Sequence, residues 1–128
     1  MYAGSHAYAS NQYNTVAVDS GVASADAHGL IRMLMAGAIE RAGAARVALI
    51  NKDAELAGRK IGATAAIVSE LRGCLDHTNG GPIATQLDAL YDYALRRLMH
   101  ANRHRDQDAL LEVMDLMSQL HSAWVDMQ

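Results

Sequence analysis

The sequence predicts an all-α protein, an antiparallel four-helix bundle preceded by a flexible N-terminal arm. Three observations carry that expectation. Apolar residues recur at i, i+3 and i+4 over four stretches, the period of a helix with one buried face. Turn and breaker signals divide those stretches, the strongest being Asn79-Gly80-Gly81-Pro82. The composition favours helix, with 51% hydrophobic residues, seven Met, one Pro and no Phe. At 128 residues the chain suits one domain.

Residues 1–24 read as an arm, and residues 25–128 as the bundle. The arm is rich in Ser, Asn, Gly, Ala and Tyr, carries Asp19 as its one charge, and shows no helical period. Tyr2, Tyr8 and Tyr13 are large groups for a free tail, which suggests an arm that docks on the domain. The first helix is expected to begin near Asp26, with Ser24 or Asp26 as cap. Its stripe is Leu30, Ile31, Leu34, Ala38, Ala42, Ala45 and Leu49. Asn51 to Asp53 reads as a turn. The second helix should run from Ala54 to His77, with Ile61, Ala65, Val68, Leu71 and Leu75 on one stripe and Ile67 and Cys74 on another. Pro82 can start the third helix in its first turn, which should end at Asn102 to His104. Asp106 or Asp108 can cap the fourth, whose inner face is Leu110, Met114, Met117, Leu120, His121 and Trp124. Short connections between four helices favour an antiparallel bundle. Small residues concentrate in the first two helices (Gly37, Ala38, Ala42, Gly43, Ala45, Gly58, Gly62 and Ala65 among them) and would let those helices approach closely.

Charge and composition exclude several classes. The formal net charge of −3 argues against a nucleic-acid binder, which shows a basic patch. Cys74 is the only cysteine, so no internal disulfide forms and a reducing compartment is the simple reading. No apolar run reaches membrane-spanning length, and the N-terminus lacks a signal-peptide pattern. The expected location is cytoplasmic, without membrane insertion.

No catalytic constellation emerges. His28 invites comparison with histidine-phosphotransfer domains, but Ile31, Arg32 and Met33 replace the basic and small residues that follow the reactive histidine there. His28 is also placed in the first turn, where the helix dipole disfavours a charged imidazole. His100 and His104 stand at i, i+4 and could share a metal ion; no nearby Glu completes a zinc-protease set. Imidazoles at a helix C-terminus complement its dipole, which is the simpler reading. The Glu and Glu-x-x-His sets of di-iron bundles are missing. The expectation is no enzyme, no metal and no cofactor.

The stretch Leu87 to Asn102 says most about function. Leu87, Leu90, Tyr91, Ala94, Leu98 and Ala101 form a core stripe, while Tyr91 and Tyr93, two positions apart, cannot both enter one seam. One tyrosine should pack inward and the other lie on a second surface.

Together these residues resemble the flagellin-specific export chaperones of the FliS family over nearly the whole chain. Met1-Tyr2-Ala3 and Ala7-Tyr8 resemble that family's N-terminal arm. His28-Gly29-Leu30-Ile31-Arg32-Met33-Leu34 with Gly37-Ala38-Ile39 resembles its first helix. Ile67-Val68-Ser69-Glu70-Leu71 with Leu75-Asp76 resembles the second. Leu90-Tyr91-Asp92-Tyr93 with Ala101-Asn102 resembles the third and is the most specific block. Glu112-Val113 and Ala123-Trp124 suit the fourth. Met35 and Ala36 depart from the aromatic and Asp common before the Gly-Ala of the first helix, and Ala25 replaces a common proline.

The resemblance implies a cytosolic chaperone that binds the C-terminal segment of flagellin one-to-one, prevents premature polymerisation and delivers it to the flagellar type III export gate. Recognition would be helix-in-groove. Whether a regulatory competitor protein shares that surface is left open. Ile31, Leu34, Tyr91, Tyr93, Leu95, Leu98 and Asn102 are the expected client contacts, on grooves built partly by the first and third helices. Tyr2, Tyr8 and Tyr13 are the expected cap. The alternatives are a non-catalytic helical dimerisation module and, less favoured, a phosphotransfer domain using His28.

Overall fold

In a computed structural model, residues 20–127 are described, with side chains from residue 26 onward. Four helices follow one another: α1 Ser20–Ile50, α2 Ala54–Gly73, α3 Gly81–His104 and α4 Gln107–Asp126. Each packs on its neighbours in sequence, and α4 closes back onto α1. The backbones of the diagonal pairs stay apart, so the arrangement is an up-down-up-down bundle.

α1 begins at Ser20, ahead of the expected Asp26. No proline or strong breaker lies between Ser20 and Ala25, and extending an existing helix costs far less than nucleating one. α2 ends at Gly73 instead of running to His77. The cause is Asp76, whose carboxylate accepts hydrogen bonds from the backbone N–H groups of Thr78 and Asn79, each at 3.1 Å. Such local side-chain bonds offer the backbone an alternative to the helical ladder. They also hold the Asp76 carboxyl below its ordinary range, the Asn79 backbone bond contributing most. Gly80 then has no substitute: a Cβ there would sit 2.5 Å from the Asp76 carbonyl oxygen. Gly81 adopts φ +55°, in the left-handed region. Asp53 caps α2 by accepting from Leu56 N–H at 3.1 Å. Asp106 caps α4 by accepting from Asp108 and Ala109 N–H at 3.0 and 3.2 Å.

The core runs along the inside of all four helices. Ala38, Ala45, Val68, Ala94, Leu98, Ala101, Ala109, Leu110 and Met117 are fully enclosed. Met35 and Val113 join them, although the sequence stripes omit both. Alanines on α1 set the pattern of contact, since the α1–α2 seam is the most extensive in the molecule. A Cβ on Gly37 would lie 3.5 Å from Ile67 of α2, and one on Gly43 would lie 3.3 Å from Met114 of α4. Small residues on α1 therefore serve both of its neighbours.

Salt bridges tie the outer helices. Arg72 of α2 donates to both oxygens of Asp88 on α3, at 2.7 and 3.2 Å, and reaches Asp92 at 3.3 Å. The bond from Arg72 holds the Asp88 carboxyl below its usual range. Asp92 also accepts from Arg96 at 3.0 Å, the i, i+4 pair legible in the sequence.

Candidate client groove between the third and fourth helices

The α3–α4 seam is the least extensive of the four. Its side chains are large where those of α1 are small, and they leave a groove of about 420 Å³ on the outer surface. Leu90 and Tyr93 of α3 form one wall, and Leu111 and Leu116 of α4 the other. Leu90 and Leu111 are 36% and 38% exposed, so each offers apolar area that the fold itself does not use.

A polar clamp spans the groove. Arg97 Nε donates to Glu112 Oε1 at 2.8 Å, and the Tyr93 hydroxyl donates to Glu112 Oε2. Both carboxylate oxygens are therefore held from α3. The Tyr93 bond, followed by that of Arg97, keeps the Glu112 carboxyl below its ordinary range. The same bond, aided by partial burial, raises the Tyr93 phenol. Arg96 sits 5.5 Å over the Tyr93 ring and fixes its outer face. Tyr93 is thus held upright at both ends, a rigid aromatic wall for an apolar partner.

The two tyrosines divide as the sequence predicts. Tyr91 is 2% exposed and lies in the core. Burial pushes its phenol up to about 12. Tyr93 is half-buried on the second surface.

The other expected contacts are distributed. Leu98 is fully enclosed, so Leu98 and Tyr91 present no surface to a client in this state. Ile31 and Leu34 are half-buried on α1. α1 and α3 are diagonal in the bundle, and their backbones do not approach one another. Leu95 is half-buried against the core. Asn102 is exposed, its Oδ1 within 3.8 Å of where a Cβ on Gly58 of α2 would lie. Tyr2, Tyr8 and Tyr13 fall outside the described residues.

Sequence reasoning passed over Leu111 and Leu116, and placed Leu90 on the core stripe. The missed signal was the pairs Leu110-Leu111 and Leu116-Met117. Adjacent helical residues point about 100° apart, so one member of each must leave the core. Leu110 and Met117 face inward and Leu111 and Leu116 turn toward the groove, as Tyr91 and Tyr93 divide on α3.

His28 is not an exposed nucleophile. It stands in the third turn of α1, not the first, because the helix starts at Ser20. Its ring stacks on Trp124, with centroids 4.5 Å apart and planes 17° from parallel. Trp124 Nε1 donates to the His28 carbonyl at 2.9 Å, and His28 Nε2 lies 3.2 Å from the Trp124 carbonyl oxygen. The reciprocal pair fastens α1 to the last turn of α4. His100 is 3.1 Å from the capping carboxylate of Asp106 and its ring centroid lies 4.5 Å from that of His104. Among the described residues, no three His, Cys, Asp or Glu side chains gather as metal ligands. No described helix is long and apolar enough to cross a membrane.

Comparison with known proteins places this geometry in a family. The family model described as flagellar protein FliS matches residues 9–128. The flagellar secretion chaperone FliS of Salmonella typhimurium is 41% identical, over 88% of this chain and 84% of its own length. That of Vibrio cholerae is 37% identical over 88% and 82%. The flagellar secretion chaperone FliSB of Pseudomonas aeruginosa is 38% identical over 91% and 92%. A four-helix bundle with a spare apolar groove, matched along nearly its whole length by these chaperones, is a member of the FliS family of flagellar proteins.

Proposed function

We propose that this chain is a cytosolic, non-catalytic export chaperone that binds the C-terminal segment of flagellin, keeps it from polymerising early and hands it to the flagellar type III export gate. The observation that carries this reading is the α3–α4 groove, where Leu90 and Leu111 remain exposed after the core is complete. An apolar client segment that is disordered alone can lay a helical face into such a groove. Leu90, Tyr93, Leu111 and Leu116 supply the area. Ile31, Leu34, Leu95 and Asn102 are further contacts on other faces, so a client touching all of them has to wrap around the bundle. The half-buried, stacked His28 supports the non-catalytic reading.

Calorimetric titration with a flagellin C-terminal segment tests the proposal. The expected result is saturation at one-to-one, with Leu111→Ala weakening binding by about 1–3 kcal/mol. Absence of binding to several flagellin C-termini overturns it. A symmetric dimer that uses the same groove would instead favour the dimerisation module. For the arm, we propose that Tyr2, Tyr8 and Tyr13 compete with the client. Deleting residues 2–13 should then tighten binding, because a docked arm lowers apparent affinity by the fraction of time it occupies the site. Weaker binding after deletion makes the arm a contact and not a cap.

A further inference from the structure

The α3–α4 groove carries a charge pattern that its apolar walls do not explain. Asp108, Glu112 and Asp115 stand at i, i+4 and i+7 on α4, and all three line the groove. No cation is among the lining residues. Two α3 cations at the Tyr93 wall are already engaged: Arg97 with Glu112 at 2.8 Å and Arg96 with Asp92 at 3.0 Å. Glu112 is thereby neutralised. Asp108 and Asp115 have no ion pair within 4.0 Å among the described residues. Asp108 lies in the first turn of α4, where a carboxylate complements the helix dipole. Asp115 lies in the middle of the helix and has no such role. Two uncompensated carboxylates thus flank an apolar trough, about 10 Å apart along the helix axis.

We infer that the α3–α4 groove selects its client by charge, taking an amphipathic helical segment whose apolar face is bordered by Lys or Arg side chains about seven residues apart. The inference rests on the client-binding reading and names the chemistry of the client at that site. The apolar walls hold the segment, while Asp108 and Asp115 set its direction and register and repel segments with an acidic border. Exposed charges at the edge of an interface act mainly on the association rate and its salt dependence; buried apolar contacts act on the dissociation rate.

The test uses the full chain and three probes. Two are designed amphipathic peptides, identical except for Lys or Glu at two border positions seven apart. The third is a flagellin C-terminal segment. Stopped-flow association and dissociation are followed at low and high ionic strength, with Asp115→Asn, Asp108→Asn together with Asp115→Asn, and Leu111→Glu as variants. Asn preserves shape, and unchanged thermal unfolding confirms the fold. The Lys peptide should associate roughly three- to tenfold faster than the Glu peptide at low salt, with the gap closing at high salt or in the double Asn variant. Dissociation should change little in the Asn variants and accelerate in Leu111→Glu. Equal rates for the two peptides overturn the inference, even where the flagellin segment binds. Discrimination unaffected by the Asn variants, or binding unaffected by Leu111→Glu, also overturns it. Discrimination between the designed peptides without binding of the flagellin segment leaves the inference standing and removes the flagellin reading.

Discussion

The two outer seams of the bundle are built by opposite means. Where α1 meets α2, alanine and glycine let the backbones close, and the seam is the most extensive in the molecule. Where α3 meets α4, leucines and a tyrosine hold the helices at a distance, and a polar clamp of Tyr93, Arg97 and Glu112 bridges what apolar packing leaves open. Small side chains give area to the fold itself; large ones left half-exposed keep area for another molecule. On the proposed function, stability and client binding reside in different seams, and a substitution should disturb one without much effect on the other.

The largest expected effect separates core from groove. Leu98→Ala empties a fully enclosed site and should destabilise by about 2–5 kcal/mol in chemical denaturation. Leu111→Ala, at a groove wall, should stay within roughly 0.5 kcal/mol. If the two variants lose comparable stability, the α3–α4 seam is core and the contrast collapses.

The next effect concerns the paired tyrosines under alkali. Burial raises the Tyr91 phenol to about 12 in the folded protein, above its ordinary 10.0. Folding is therefore fully supported below the unfolded value, and the support is lost as pH rises from about 10 toward 12. The loss amounts to roughly 2–3 kcal/mol at most. Tyr91→Phe should flatten the fall in urea midpoint across that window. A wild-type midpoint that holds steady to pH 12 would contradict the burial of this hydroxyl.

The polar clamp comes third. Arg97→Ala should cost no more than about 1 kcal/mol, because the pair is partly exposed and solvent screens it. Its pH dependence has the opposite sign to that of Tyr91. The Glu112 carboxyl titrates below its ordinary range, chiefly through the Tyr93 bond, so its contribution is complete above that range. It disappears as pH falls through the lowered value. Glu112→Gln should remove that part of the acid sensitivity, read as a shallower decline in urea midpoint.

The smallest effect sharpens the account of small residues. Gly62 is exposed on α2, and a Cβ there would meet nothing within 4 Å. Gly62→Ala should stabilise by about 0.5 kcal/mol through helix propensity alone. Gly43→Ala should gain less, since its Cβ presses on the Met114 methyl at 3.3 Å. Equal gains at both would mean that close approach at Gly43 does not matter.

How much of this was legible in the sequence follows from what each signal measures. Helix number, order and turns could be read from Asn79-Gly80-Gly81-Pro82 and from caps such as Asp106, because these are local backbone effects. The inward Tyr91 and outward Tyr93 could be read from spacing. The early end of α2 could not, because it depends on how the Asp76 side chain folds back onto its own turn. The groove was missed at Leu111 and Leu116 because periodicity gives a face but not the neighbour opposite it. The diagonal relation of α1 and α3 was equally hidden, because the period of one helix does not say which helix lies opposite it. His28 looked isolated because its partner, Trp124, is 96 positions away.

That contact between His28 and Trp124 has an optical consequence. Trp124 is the only tryptophan in the chain, so its emission arises from one place, the junction of the last turn of α4 with α1. Fluorescence then reports a single contact, while circular dichroism reports all four helices. If the two signals are lost together on denaturation, the bundle melts as one cooperative unit. If emission changes first, the ring of helices unzips at that junction, and a client that wraps the bundle would produce the same early shift without any denaturant.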